Sequence, residues 1–253
     1  MSKDISRIIE GWDYKLGQIS VRKIRGDDGK EKIQMRVDLG VLQMETEGRP
    51  DGKRPHNKES FFEYYLSQLE EYKAKKRLTN DFVLNDEACE KLYKEAIQYY
   101  QRYLSLFYLK EYQGVIRDTE RNLKAHSFAI DYTTSEKYKA LFIEAIPYII
   151  MMNTKAKALL KQEEEHYDEA LREIKRGTEK IGEFFRNYSQ PKMIEDSKEI
   201  KSLRELAKQI QKSSPLTELK RLKIELTEAI RREDFEKAAL LRDRIKQIEN
   251  RDL

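Results

Sequence analysis

Glycine is confined to one end of this chain. Gly11, Gly17, Gly26, Gly29, Gly40, Gly48 and Gly52 lie in the first 52 residues, and only Gly114, Gly177 and Gly182 follow. A glycine costs a helix interior about 1 kcal/mol relative to alanine, so everything after Gly52 is free to form long helices. The prolines repeat the division: Pro50 and Pro55 close the glycine-rich part, and Pro191 and Pro215 bracket a short stretch before the end. This punctuation predicts a mainly α protein in four segments. They are a small β section with a glycine-rich loop over 1–57, a helical-repeat domain over 58–190, a helical linker over 191–214 and a helical hairpin over 215–253.

In the β section, Gln18 to Arg25 and Lys32 to Leu39 alternate apolar residues (Ile19, Val21; Ile33, Met35, Val37) as half-buried strands do. Gly26-Asp27-Asp28-Gly29 between them supplies residues that tolerate positive φ, as a hairpin turn requires. A third short strand is expected over Val41 to Thr46, followed by a turn at Pro50-Asp51-Gly52. So small a sheet cannot enclose its own core, and the face carrying Val21 and Val37 is expected to pack on the helices.

The helical region contains a repeat. Leu92-Tyr93-Lys94-Glu95-Ala96-Ile97-Gln98-Tyr99 returns as Leu141-Phe142-Ile143-Glu144-Ala145-Ile146-Pro147-Tyr148, identical at five of eight positions. Asn85 or Asp86 precedes the first copy and Thr134 or Ser135 the second, each a residue whose side-chain oxygen can accept from unpaired helix amides. Each copy also leads to a second helix opened by tyrosine, Tyr112-Gln113-Gly114-Val115-Ile116 and Tyr167-Asp168-Glu169-Ala170-Leu171. The unit is an antiparallel helix pair used twice. Through Tyr167 to Leu171, and more weakly Tyr112 to Ile116, it resembles the tetratricopeptide class, although spacings of 49 and 55 residues depart from that family's 34. The resemblance implies stacked helix pairs; no peptide groove is carried over from it.

From Pro215 the apolar residues form two stripes: Leu219, Leu222, Leu226, Ala229 and Ile230, then Phe235, Ala238, Leu241, Ile245 and Ile248. Glu233-Asp234 between them can end one helix and cap the next. Thirty-odd residues are too few to bury both stripes unaided, so another copy, another protein or the neighbouring bundle is expected to cover an apolar edge. The block Glu233-Asp234-Phe235-Glu236, with Ala238-Ala239, Leu241-Arg242-Asp243 and Ile245, resembles the UVR motif, the helical hairpin of the bacterial excision-repair subunits UvrB and UvrC. There the motif mediates association of the two subunits, and similar motifs occur in Clp-type ATPases and their adaptors. What the resemblance implies is docking on a partner protein, on a hairpin of the same kind or on a second copy. Leu219, Leu222, Leu226, Phe235, Ala238, Leu241, Arg242 and Ile245 are the expected contacts. The stretch from Ile33 to His56 also resembles a group of bacterial UvrB/UvrC-motif proteins, a likeness that implies no activity.

Composition and missing motifs narrow the chemistry. Charged residues make up 38% of the chain and mean hydropathy is −0.85, which sets aside a membrane protein. The opening MSKDISRIIEGWD lacks the apolar core of a secretory signal, and the single Cys89 suits a reducing cytoplasm. His56, His126 and His166 show no ligand spacing, so no metal or cofactor is expected. Gly26-Asp27-Asp28-Gly29-Lys30 is too short and too acidic for a phosphate loop, which removes helicase chemistry. An enzyme is not expected.

Two further site readings stand beside docking. Arg22, Lys23, Arg25, Lys32 and Arg36 make the hairpin basic, as a ribbon that follows phosphates would be, and Lys73, Lys75, Lys76 and Arg77 form a second basic cluster. The net charge is only +4, and Asp27, Asp28, Glu31 and Asp38 interleave, so nucleic acid is not the favoured partner. This is the basis of the alternative, a DNA-repair accessory that recruits an excision-repair subunit. The second alternative is an enzyme using Arg49, Asp51, Arg54 and His56, which concentrate polar groups in the glycine-rich loop.

Overall fold

The computed structural model describes residues 4–76, 81–188 and 190–249, and the protein is mainly α with one small antiparallel sheet. Packing divides the chain into two compact units, 1–157 and 158–253.

The first unit opens with one helical turn, α1 (Ser6–Ile9), and a three-stranded meander of β1 (Val21–Arg25), β2 (Glu31–Val37) and β3 (Gly40–Glu45) in the order β1-β2-β3. The β1–β2 turn closes where expected. Gly29 donates its amide to the Gly26 carbonyl at 2.9 Å and has φ +75°, a conformation that a β-carbon disfavours. Val21 pairs with Met35 and Lys23 with Ile33, which pairs in turn with Met44. One sheet face therefore carries Val21, Ile33, Met35, Val37 and Met44, of which Ile33, Met35 and Met44 are buried and the two valines half-buried. The opposite face is largely polar, yet Lys32 and Gln34 are buried there too, Lys32 paired with Asp28 and Glu45 and Gln34 hydrogen-bonded to Arg22 and Gln43. Arg36 Nε donates to the Trp12 carbonyl at 2.9 Å, and the Arg22 guanidinium sits 4.0 Å above the Trp12 ring.

The helices follow. α2 (Phe61–Lys76) starts with a reciprocal cap, Ser60 Oγ accepting from the Glu63 amide at 3.4 Å while its hydroxyl meets the Glu63 carboxylate. α3 (Asp86–Tyr108) is capped by Asn85, whose Oδ1 accepts from the Ala88 amide at 2.9 Å. α4 (Tyr112–Tyr132) returns antiparallel along α3, and α5 (Glu136–Glu163) follows, with Pro147 in its interior. Before α5, the amide of Ser135 is taken by Thr133 Oγ1 at 3.1 Å. Leu92, Tyr103, Val115, Ala129, Phe142 and Ile149 are sealed from solvent.

In the second unit α6 (Tyr167–Asn187) turns Ala170, Ile174, Gly177, Ile181 and Phe185 to one face. After α7 (Met193–Asp196), α8 (Lys198–Ser213) packs on α6, with Ile200, Leu203 and Ile210 buried. Residues 191–214 are thus mostly packed structure. Ser197 caps α8, its Oγ accepting from the Ile200 amide at 3.2 Å. α9 (Pro215–Arg231), with proline in its first turn, and α10 (Phe235–Glu249) form the C-terminal hairpin.

Three helix–helix turns share one design. Lys110, Glu165 and Glu233 have φ of 60°, 62° and 58°, and the residue after each reaches back five positions. Glu111 N donates to Leu106 O at 2.9 Å, His166 N to Lys161 O at 2.8 Å, and Asp234 N to Ala229 O at 3.0 Å. A left-handed residue with this backward bond satisfies carbonyls left open at the helix end. An aromatic residue then begins the next helix: Tyr112, Tyr167 and Phe235.

Candidate functional site

The C-terminal hairpin is built from the two stripes read in the sequence, but they face one another. Leu222, Ala229, Leu241, Ile245 and Ile248 form a small buried core, with Leu219, Leu226 and Ala238 half-buried against it. Lys223 Nζ and Glu249 form an ion pair at 2.8 Å across the hairpin, and Asp234 Oδ1 caps α10 by accepting from the Lys237 amide at 3.1 Å. Leu222, Leu241 and Ile245, expected on a partner-facing edge, are instead closed into the hairpin's own seam, because each lies on the side of its helix that meets the other. Phe235, Ala239 and Arg242, spaced as i, i+4 and i+7, share the outer side of α10 and are exposed. Phe235 is 69% exposed, and Ile224, Ile230 and Leu240 are exposed apolar residues of the same hairpin.

The turn design gives Phe235 its meaning. Tyr112, at the same position of the first turn, is only 8% exposed and meets the Phe107 ring edge-on with centroids 5.9 Å apart, and Tyr167 is half-buried. Three residues further on, Val115 and Ala170 are fully buried and Ala238 half-buried. The third hairpin repeats the local construction of the first two and leaves the ring uncovered.

The glycine-rich loop is anchored to the bundle. Arg49 Nε lies 3.1 Å from Glu95 Oε2, its Nη2 lies 3.4 Å from Asp51 Oδ2, and its guanidinium stacks over the Phe61 ring at 4.9 Å. Asp51 accepts from the Lys53 amide at 3.0 Å and from Gln98 Nε2 at 3.3 Å. His56, with φ +51°, stacks on the Tyr64 ring at 4.0 Å, and Arg54 is exposed. Arg49 and Asp51 are therefore brought together, whereas no hydrogen bond or ion pair among the described residues joins Arg54 or His56 to them.

Glu95 is the hub of this region; the sequence marks it only as a repeated position and not as a buried charge. It is fully buried, accepts from the Phe61 and Phe62 amides at 2.7 and 3.2 Å, and pairs with Arg121 as well as Arg49. Its charge thus faces two guanidiniums and the positive end of α2. Nearby, Arg102 and Asp118 form a buried bidentate pair at 2.6 and 2.8 Å, and Arg102 Nη1 reaches the Glu45 carbonyl at 3.1 Å, tying β3 to α3 and α4.

The basic residues of the sheet do not form a common face. Pairing puts Arg22, Lys32 and Arg36 on one side and Lys23 and Arg25 on the other. Each is also engaged within the unit. Arg22 Nε donates to Gln34 at 2.8 Å, Lys23 pairs with Glu31 and Glu111, and Arg25 Nε donates to the Gly29 carbonyl at 3.0 Å. Lys32 pairs with Asp28 and Glu45, and Arg36 donates to the carbonyls of Trp12, Val37, Asp38 and Gly40. Strand alternation thus divides the charges of the candidate nucleic-acid ribbon between two faces, and local acceptors hold them. Of the second basic cluster, Arg77 lies outside the described residues.

Among the described residues, no three His, Cys, Asp or Glu side chains group as a metal site, and no helix is long and apolar enough to cross a membrane. The first unit also holds a cleft of about 370 Å³ between α3 and α5, with α4 as its floor.

A family model described as the UvrB/uvrC motif matches residues 217–251, which places the match on the α9–α10 hairpin. No curated protein and no solved structure matches the chain.

Proposed function

We propose that the chain is a non-catalytic docking protein that engages another protein through the outer side of its C-terminal hairpin. The observation that carries this reading is Phe235, 69% exposed at a position whose counterpart Tyr112 is covered, within the segment that matches the UvrB/uvrC motif. A protein partner recovers the apolar area that solvent holds, at roughly 25 cal/mol per Å². Arg242, on the same side, adds a rim charge. The partner is a hairpin of the same kind, in a second copy or in another protein, an excision-repair subunit being the alternative named by the motif. Direct contact with DNA through the β section has no observation in its favour. A cytoplasmic setting suits the buried free thiol of Cys89, whose pKa burial pushes up.

Phe235→Ala tests the reading. With the ring largely in water, the change costs the isolated protein no more than about 0.5 kcal/mol, so its helical circular dichroism and melting curve stay those of the parent. Sedimentation velocity, and pull-down with proteins bearing the motif, are expected to show loss of association in the variant. A variant that associates as the parent does removes Phe235 from the interface; a variant that loses helicity places the ring in the protein's own core.

A further inference from the structure

The two copies of the internal repeat form the opposing walls of the cleft in the first unit. Tyr93, Ile97, Tyr100 and Tyr103 come from α3, and Leu141, Glu144, Tyr148 and Ile149 from α5, with Asn122 and His126 of α4 below. Four tyrosine rings thus border a space of about 370 Å³, within the range of small-molecule sites. Tyr100 sets its ring edge-on to both Tyr103 and Tyr148, with centroids 5.5 and 5.8 Å away.

The charges of the cleft are one-sided. Among the described residues no lysine or arginine lines it, and Glu144 is its carboxylate. His126 is buried, its Nδ1–H donating to the Asn122 carbonyl at 2.8 Å, and burial lowers its pKa to about 4, so it is uncharged at neutral pH. Within the repeat, Glu144 stands where Glu95 stands in the first copy. Glu95 is saturated by two arginines and two helix amides, whereas Glu144 is exposed and no cation of the chain pairs with it among the described residues. The same repeated carboxylate is thus filled from within the chain in one copy and open to a cleft of aromatic rings in the other.

We propose that this cleft binds a small organic cation with an apolar body, its ammonium or guanidinium head held by Glu144 and the tyrosine faces and its body lying on Ile97, Leu141 and Ile149. Tyrosine rings attract cations through their quadrupoles, most strongly where water is partly excluded, and the carboxylate supplies the net charge. A neutral ligand of the same shape gains only the apolar contact, and an anion meets Glu144 with no basic residue to offset it.

Calorimetric titration of the full chain with benzyltrimethylammonium, benzyl alcohol and phenylacetate tests the assignment. Saturable binding of the cation is expected, at least about tenfold tighter than that of the alcohol, with none of the anion. Glu144→Gln is expected to weaken the cation about tenfold, and Tyr100→Leu to weaken it while sparing benzyl alcohol. Glu144 is exposed, so Glu144→Gln should keep the parent melting curve; Tyr100→Leu gives up two edge-on ring contacts, and its folding is checked by circular dichroism before titration. Glu144→Lys, which supplies a cation from the chain itself, should abolish binding. Absence of saturable cation binding, equal affinity for the alcohol, a preference for phenylacetate, or unchanged affinity in Glu144→Gln would each overturn the proposal.

Discussion

His126 shows how one residue turns burial into a pH dependence. Burial lowers its pKa to about 4 from an ordinary 6.5, the charge of Arg121 adds to that, and the hydrogen bond to the Asn122 carbonyl opposes both. Between these values the unfolded chain binds a proton that the folded chain refuses, so this residue's contribution to stability rises with pH across the window and is lost as pH falls from 6.5 towards 4. Each pH unit below the upper value costs about 1.4 kcal/mol. In urea denaturation at pH 7 and pH 5, the parent is expected to lose about 2 kcal/mol more than His126→Gln, which keeps a donor and does not titrate. Equal losses would mean that His126 is open to solvent. Glu95 makes the complementary point about what a sequence displays. In Lys94-Glu95-Ala96 it looks like one more solvated charge, and nothing local announces that Arg49 and Arg121, 46 residues before it and 26 after it, converge on it. Asn85 and Asp234 were legible as caps because a cap acts on amides two or three residues away. Buried charge pairs were not, since their partners are chosen by the tertiary fold.

At the scale of elements, the three αL turns carry a cost that the fold has kept. Lys110, Glu165 and Glu233 are exposed and hold φ near +60°, where an L side chain costs roughly 1–2 kcal/mol and glycine almost nothing. Lys110→Gly is expected to stabilise the first unit by about 1 kcal/mol, read as a higher midpoint in thermal denaturation, with Glu165→Gly and Glu233→Gly doing the same for the second. Destabilisation by Lys110→Gly would show that its side chain contributes more than its backbone costs. The sequence marks these turns through the aromatic that follows them, Tyr112, Tyr167 and Phe235, and the first two belong to its repeat. That the third belongs with them emerges only from backbone geometry, because Glu233 and Asp234 suggest a cap and not a left-handed residue. Likewise, the periodicity of Leu219 to Ile248 located both stripes of the hairpin, while their rotation towards each other, which decides what remains for a partner, is a property of packing.

For the molecule as a whole, the division into 1–157 and 158–253 joins α6 to α8 and the hairpin, although the repeat in the sequence joined Tyr167 to Tyr112. Sequence likeness follows local construction, whereas a compact unit is defined by which side chains exclude water together. Leu203 is fully buried in α8, the helix that packs on α6. Leu203→Ala removes buried methyl groups and leaves a cavity, a change that costs about 2–5 kcal/mol. If each unit is its own cooperative block, that cost falls on the second unit alone. Native-state hydrogen exchange is then expected to speed up at the amides of α6 and α8, by roughly tenfold for each 1.4 kcal/mol lost, while those of α3 and α4 keep their parent rates. Val115→Ala, at a fully buried site of α4, should produce the reverse pattern. Uniform acceleration across both units from either substitution would show that 1–157 and 158–253 unfold as a single block, and their separation would then describe packing density and not stability.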